Sequence, residues 1–355
     1  MTKIKGLTRR QFVKMCGVMT AMAGLSEAYI PQVAKALEGV ITGAKPPVVW
    51  LNGASCTGCT VSLANSNYPT VAEVVLDVIS LRYSETLMAD SGHVSEKALH
   101  DDMEKFKGKY VFVLEGAIPI AEDGIYCQVG GRPFVEIVEE AAASSAYNIA
   151  VGACACWGGI PAGDPNPTEA KGLQAVVGGT VVNIPGCPPH PDWIVGTIVN
   201  VLLFGVPELD ELGRPKVFFG QKVHDNCPRR TAYESGLFVE KWGSPEVEMN
   251  YCLAKMGCKG QATASDCPNR QWNSGVNWCV KAGAPCAGCT DPKFYNAFSP
   301  LYEPLPTIML EKEPADKGFT TSGATLMAAS AAVAGGIAGY LKGSKKEGKA
   351  KGGEK

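Results

Sequence analysis

What most narrows the folds open to this chain is where its 14 cysteines fall. Only Cys16, Cys56, Cys59 and Cys127 precede residue 150, whereas nine lie between Cys154 and Cys286. The stretch NWCVKAGAPCAGC, residues 277–289, holds Cys279, Cys286 and Cys289, with Cys267 just upstream. Thiols packed this tightly, including the CxxC pairs Cys56/Cys59 and Cys286/Cys289, favour metal or iron–sulfur ligation over native disulfides. Disulfide frameworks belong mostly to small domains that lack a core. This chain has 355 residues, 46% of them hydrophobic, which is material for one large or two ordinary domains. A formal net charge of −2 offers nothing to attract a nucleic acid, so no such partner is expected.

The two ends read as addresses rather than as parts of the fold. Thr8-Arg9-Arg10-Gln11-Phe12-Val13-Lys14 has the pattern of a twin-arginine export signal. A weakly apolar stretch follows, then Ala34-Lys35-Ala36 at cleavage-site spacing. An ordinary amphipathic helix is the plainer alternative. Residues 1–36 are expected to leave the mature protein, and an export route for folded proteins hints at a cofactor already inserted. At the other end, Gly318 to Leu341 carries no charge and is long enough to cross a bilayer, although it is rich in Ala and Gly. Lys342, Lys345, Lys346, Lys349, Lys351 and Lys355 follow, as a cytoplasmic tail (342–355) requires. Gly335 and Gly339 make a small-xxx-small step suited to a partner's helix. A flexible tail is the alternative to this anchor, and residues 303–317 read as its linker.

Between the ends, short Val- and Ile-rich runs recur at 47–51, 74–80, 110–116, 147–153 and 180–186. Helix-like segments separate them, among them Val94 to Lys107, Phe134 to Ala146 and Asp192 to Phe204. This alternation predicts an α/β layer structure around a parallel sheet, over about 47–205. The loops after the strands read NGASCTGCT, EGAIP, ACACWGG and PGCPPHPDW, and ligands of open parallel sheets bind beyond the carboxyl ends of the strands. Cys56, Cys59, Cys154 and Cys187 are thus expected to converge there. Such a set suits a tetrahedral zinc or a cubane cluster, and the small residues around it favour the cluster. Cys156 competes with Cys154, since residues two apart on an extended segment face the same way. Glu115 is expected on the loop after the third strand, either as a proton or hydrogen-bond partner or as a solvated acid.

From residue 206 to about 302, turn residues replace periodicity, and bound cofactors would have to help hold such a segment. His224 and Cys227 have HxxC spacing, and Cys252 and Cys258 follow. His224 reads either as a ligand or as a solvated loop residue.

Taken together, CTGC, EGAIP, GACACWGGIPAG, PGCPPHPDW, HDNCPR, MGCKGQ and NRQWNSGVNWCVKAGAPCAGC resemble the small, electron-transferring subunit of membrane-bound periplasmic nickel–iron hydrogenases. The resemblance runs from about Pro47 to about Tyr302. It implies a flavodoxin-like domain followed by an irregular one, and three clusters in a row. The proximal 4Fe–4S cluster would take Cys56, Cys59, Cys154 and Cys187. The distal 4Fe–4S cluster would take His224, Cys227, Cys252 and Cys258. The medial cluster would take Cys267, Cys286 and Cys289. Most family members hold a 3Fe–4S cluster there, with proline where this chain has Cys279. A thiolate at that corner is expected to complete a 4Fe–4S cluster, as in the selenium-containing branch, and to lower the potential of the middle step. An unligated Cys279 is the alternative. Cys16, Cys127 and Cys156 are left over. Oxygen-tolerant relatives carry extra cysteines at positions matching Gly58 and Gly159, so an oxygen-sensitive enzyme is expected.

The resemblance places hydrogen splitting in a separate large subunit carrying the nickel–iron site. Electrons would pass to an integral membrane acceptor, a cytochrome b or quinone-reducing subunit, on the periplasmic side, with hydrogen uptake favoured. Two rivals stand beside this reading. One is the iron–sulfur component of a related quinone reductase, against which Cys227 to Cys289 speak; the other is a non-catalytic exported protein with structural zinc.

Overall fold

The structure, a computed structural model, describes residues 9–22, 24–42, 45–296, 298 and 303–305. These lie in one compact unit, Met1–Met309, whereas the expected membrane span 318–341 lies outside the described residues. Among the described residues no helix is long and apolar enough to cross a membrane.

The strands are β1 (Pro47–Asn52), β2 (Ser80–Ser84), β3 (Val111–Glu115), β4 (Gln128–Val129), β5 (Arg132–Pro133), β6 (Tyr147–Val151) and β7 (Val181–Ile184). Five of them form one parallel sheet in the order β2-β1-β3-β6-β7, while β4 and β5 pair separately as a small antiparallel hairpin. The central strands are apolar throughout because both of their faces are covered. Val48, Trp50, Val111, Val113, Ile149, Val151, Val182 and Ile184 face the helix Pro191–Phe204. Their alternates Val49, Leu51, Phe112, Leu114, Ala150 and Val181 pack with Leu99 and Met103 of His93–Lys105 and with Ile137 and Val138 of Phe134–Ser144. The α/β reading of the sequence holds, with one displacement. Residues 74–80 were expected as a strand, but Val74–Val78 is a π-helical turn and β2 begins at Ser80. A capping box between Thr70 and Glu73 starts a helix at Val71, so Val74 and Val78 enter the core from a helical face.

The sequence reading set residues 1–36 aside from the mature fold. In this chain, Arg9–Met22 and Ile30–Thr42 are helices packed on the body. Phe12, Met15, Cys16 and Met19, spaced to form one helical face, join Val33 and Leu37 in the same core as Ile194 and Ile198. This is why Pro191–Phe204, a helix apolar on nearly every side, is buried without interruption from Trp193 to Val201.

Beyond residue 206 the chain is a succession of short helical turns around a small cluster of Val223, Val239, Leu253, Trp278 and Val280. Polar clamps fasten this part to the sheet. Trp193 Nε1 donates to Asp266 Oδ1 at 2.8 Å, and Arg270 Nη1 pairs with Asp192 Oδ2 at 3.0 Å. Within this part itself, Arg214 Nη1 donates to the Thr290 carbonyl at 3.1 Å.

Candidate metal centres

The carboxyl edge of the sheet carries the first set of thiols. Cys56 lies in the loop after β1, and Cys59 on the helix Gly58–Ala64 that the loop enters. Cys154 lies on Gly152–Trp157 directly after β6, and Cys187 lies just past β7. Burial pushes the Cys59 thiol well above its ordinary range, and Glu115, Cys154 and Cys56 add to this. Burial likewise raises Cys154 to about 11, with Cys187 the next largest influence. Cys56 and Cys154 thus each stand within electrostatic reach of the other three, and two glycines keep the space between them open. A Cβ on Gly152 would come within 2.5 Å of Cys59 Sγ, and one on Gly159 within 2.7 Å of Cys154 Sγ. Both glycines have positive φ, +93° and +54°, which side-chain-bearing residues rarely adopt.

Two expectations change here. Glu115 is the last residue of β3 rather than a loop residue, and its side chain is wholly buried. It accepts from Trp50 Nε1 (3.2 Å), Ser55 Oγ (3.2 Å), the Cys59 amide (3.0 Å), the Thr60 amide (3.1 Å) and the Thr60 hydroxyl. A group surrounded by donors alone is what a carboxylate satisfies. It therefore anchors the start of the helix that carries Cys59 and is no solvated acid. Cys156 was allowed to compete with Cys154 on the assumption of an extended segment. Gly152–Trp157 is a helix, where residues two apart diverge, and the buried Cys156 Sγ points back to the Ala150 carbonyl at 3.5 Å.

The second set shares one cavity, lined by His224, Cys227, Cys252 and Cys258 together with Arg229 and Val280. Burial lowers His224 below its usual range, which favours the neutral imidazole that ligates metal. Its ring meets the Tyr233 ring edge-on at 4.8 Å. His224 is thus a lining residue of a thiol-bearing cavity.

The third set is Cys267, Cys279, Cys286 and Cys289. Burial raises Cys289 to about 12, with Cys267 and Cys279 both contributing, and raises Cys286 well above its range, with Cys258, Cys289 and Cys267 contributing. Cys267 Sγ accepts from Ser265 Oγ at 2.9 Å. Cys279 is exposed in this chain, yet stands within electrostatic reach of Cys267 and Cys289. The sets also adjoin. The Cys289 thiol stands within electrostatic reach of Cys187 and of its backbone. On the other side, Cys286 stands beside Cys258, and the Lys259 amide donates to the Cys286 carbonyl at 2.7 Å. Among the described residues no three Cys, His, Asp or Glu are gathered tightly enough for a single metal ion.

The fit to iron–sulfur groups rests on the donors themselves. Desolvated thiols held together are poorly placed as free thiolates, and a cluster's iron relieves that cost. The close-set glycines leave room beside Cys59 and Cys154 that any other residue would fill. Ser265 and Arg229 escaped the sequence reading. The pairing of Ser265 with a cysteine two residues on is a local signal; Arg229 closes the motif HDNCPR, but nothing local shows that its charge is buried.

Two family descriptions match this chain. Residues 56–201 match the NADH ubiquinone oxidoreductase 20 kDa subunit, and residues 219–302 match the C-terminal part of NiFe/NiFeSe hydrogenase small subunits. The uptake hydrogenase small subunit of Azotobacter vinelandii is 42% identical over 324 residues, covering 90% of this chain and 89% of that one. This chain belongs to the nickel–iron hydrogenase small-subunit family. The periplasmic [NiFe] hydrogenase small subunit of Solidesulfovibrio fructosivorans is 43% identical over 298 residues, covering 84% of this chain and 93% of its own. A solved structure of the reduced, active Ni-Fe-Se hydrogenase of Desulfomicrobium baculatum matches with TM-score 0.70 and 41% identity, over 74% of this chain and all of that chain. The quinone-reductase rival covers only the sheet domain, and the match to residues 219–302 decides against it. As a hydrogenase small subunit, the chain is an iron–sulfur electron-transfer protein whose large partner subunit carries the nickel–iron site.

Proposed function

We propose that this subunit carries three iron–sulfur clusters and connects the large subunit's nickel–iron site to a membrane acceptor. Cys56, Cys59, Cys154 and Cys187 would hold the proximal 4Fe–4S cluster, and His224, Cys227, Cys252 and Cys258 the distal one. Cys267, Cys279, Cys286 and Cys289 would hold a medial 4Fe–4S cluster. Bound there, such clusters supply one-electron donor and acceptor states. The observation that supports a relay is the adjacency of the three sets, through Cys187 and Cys289 on one side and Cys258 and Cys286 on the other. Cys56 and Cys187 are exposed, which suits a large subunit seated over the proximal set. Glu115 acts as a positioning residue, holding the Cys59 and Thr60 amides so that the Cys59 thiol faces its set.

The wider setting follows the sequence. The twin-arginine motif, the uncharged span 318–341 and the basic tail 342–355 support export, a C-terminal anchor and a periplasmic body. The acceptor is then a membrane cytochrome b or quinone-reducing subunit, and the favoured direction is hydrogen uptake. Gly58 and Gly159 stand where oxygen-tolerant relatives have cysteines, and Gly159 has no room for a side chain, so the enzyme is oxygen-sensitive. The test is electron paramagnetic resonance of the mildly oxidised two-subunit complex beside a Cys279→Pro variant. The wild type is expected to lack a 3Fe–4S signal and the variant to gain one. A strong 3Fe–4S signal in gently handled wild type refutes ligation by Cys279. No iron–sulfur signal in any redox state refutes the relay.

A further inference from the structure

Two adjacent arginines at the distal set have opposite surroundings. Arg230 is exposed and paired with Glu234 at 2.8 Å. Arg229 is buried, with 6% of its surface exposed, and lines the cavity of His224, Cys227, Cys252 and Cys258. Its Nη1 donates to the Tyr251 carbonyl at 2.9 Å, one residue before Cys252. Its Nη2 donates to the Val280 carbonyl at 3.3 Å, one residue after Cys279. Among the described residues no carboxylate forms an ion pair with it. Carbonyl dipoles satisfy its hydrogen bonds but cancel none of its charge, and a buried cation is costly without a counter-charge. The groups of its own cavity that become negative on ionisation or ligation are the thiols of Cys227, Cys252 and Cys258.

We propose that Arg229 is a fixed positive charge that raises the reduction potential of the distal cluster, held in place by its fork on the Tyr251 and Val280 carbonyls. The inference rests on the three-cluster reading. An electron arriving at the distal ligand set adds one negative charge there, and a guanidinium in the same low-dielectric cavity stabilises that state over the oxidised one. Arg229 is a tuning and positioning residue; it ligates nothing. Guanidinium suits this role because it keeps its proton at any working pH and reaches two carbonyls at once.

The experiment is a redox titration of the purified two-subunit holoenzyme, following the reduced distal cluster by electron paramagnetic resonance, with iron analysis, in wild type, Arg229→Gln and Arg229→Lys. Gln is expected to weaken reduction of the distal cluster at least tenfold, about 59 mV to the negative for one electron, while Lys retains most of the wild-type value. An unchanged potential in a fully loaded Gln variant overturns the proposal. So does a Lys variant shifted as far as Gln, because the effect would then come from the fork's geometry and not its charge. If Gln loses distal iron, Lys decides: a loaded Lys variant near the wild-type potential supports the charge, and loss of iron there as well refutes it. Absence of a distal 4Fe–4S signal in wild type would instead refute the three-cluster reading, which separates the two failures.

Discussion

Glu115→Ala is the sharpest perturbation of the sheet edge. It removes the acceptor of five hydrogen bonds, three of them from nitrogen donors: Trp50 Nε1 and the amides of Cys59 and Thr60. Ser55 and Thr60 hydroxyls can rotate to other partners, but the nitrogens are fixed by the backbone and a buried ring. Each bond to a charged acceptor is worth about 1.5–3 kcal/mol, and each buried donor left alone costs about 1–3 kcal/mol. With two to three donors orphaned, the helix start at Gly58–Ala64 should lose about 3–6 kcal/mol of local stability. At about 1.4 kcal/mol per tenfold, that is at least a hundredfold faster amide exchange at Cys59 and Thr60, read by hydrogen–deuterium exchange on the holoenzyme. Glu115→Gln keeps one acceptor oxygen and turns an amide group toward the remaining donors. Its loss should therefore fall between wild type and Ala, at about 2 kcal/mol. Wild-type protection of residues 59 and 60 in the Ala variant would refute the anchoring role of Glu115.

Three further outcomes are expected. Gly159→Ala puts a Cβ within 2.7 Å of Cys154 Sγ at a φ of +54°, so the purified complex should lose the iron of one cluster; full iron content would show that the loop can yield. Arg270→Ala breaks the clamp to Asp192 and Asp266, takes the shared arginine from two half-buried carboxylates and should cost about 3 kcal/mol. That loss should appear as faster proteolysis between residues 206 and 302, and an unchanged digestion rate counts against the clamp. Met15→Asp buries a charge beneath the N-terminal helices and should destabilise the unprocessed chain by about 3 kcal/mol in denaturant melts. If residues 1–36 are removed from the mature protein, the melt of the processed form will not differ from wild type.

Much of the site was legible because ligand chemistry is carried by residue type and spacing. CxxC, HxxC and Cys-rich turns name their donors in the sequence, and strand–helix alternation places Cys56, Cys59, Cys154 and Cys187 at one edge. Errors arose where local pattern underdetermines conformation. Val74–Val78 reads as a strand by composition, but the capping box of Thr70 and Glu73 just upstream makes it helical. Cys154 and Cys156 read as neighbours only if the segment is extended, and it is not.

The sequence by itself determined the layer architecture, the donor inventory and the family, because periodicity, residue chemistry and motif order are local properties written in one dimension. Tertiary structure alone decided three other matters. It put the Glu115 side chain under the Cys59 helix and buried the Arg229 charge between Tyr251 and Val280. It also folded Phe12, Met15 and Met19 over the helix Pro191–Phe204. Each joins residues far apart in the chain, and the energy of such contacts depends on burial and distance, which no local pattern encodes.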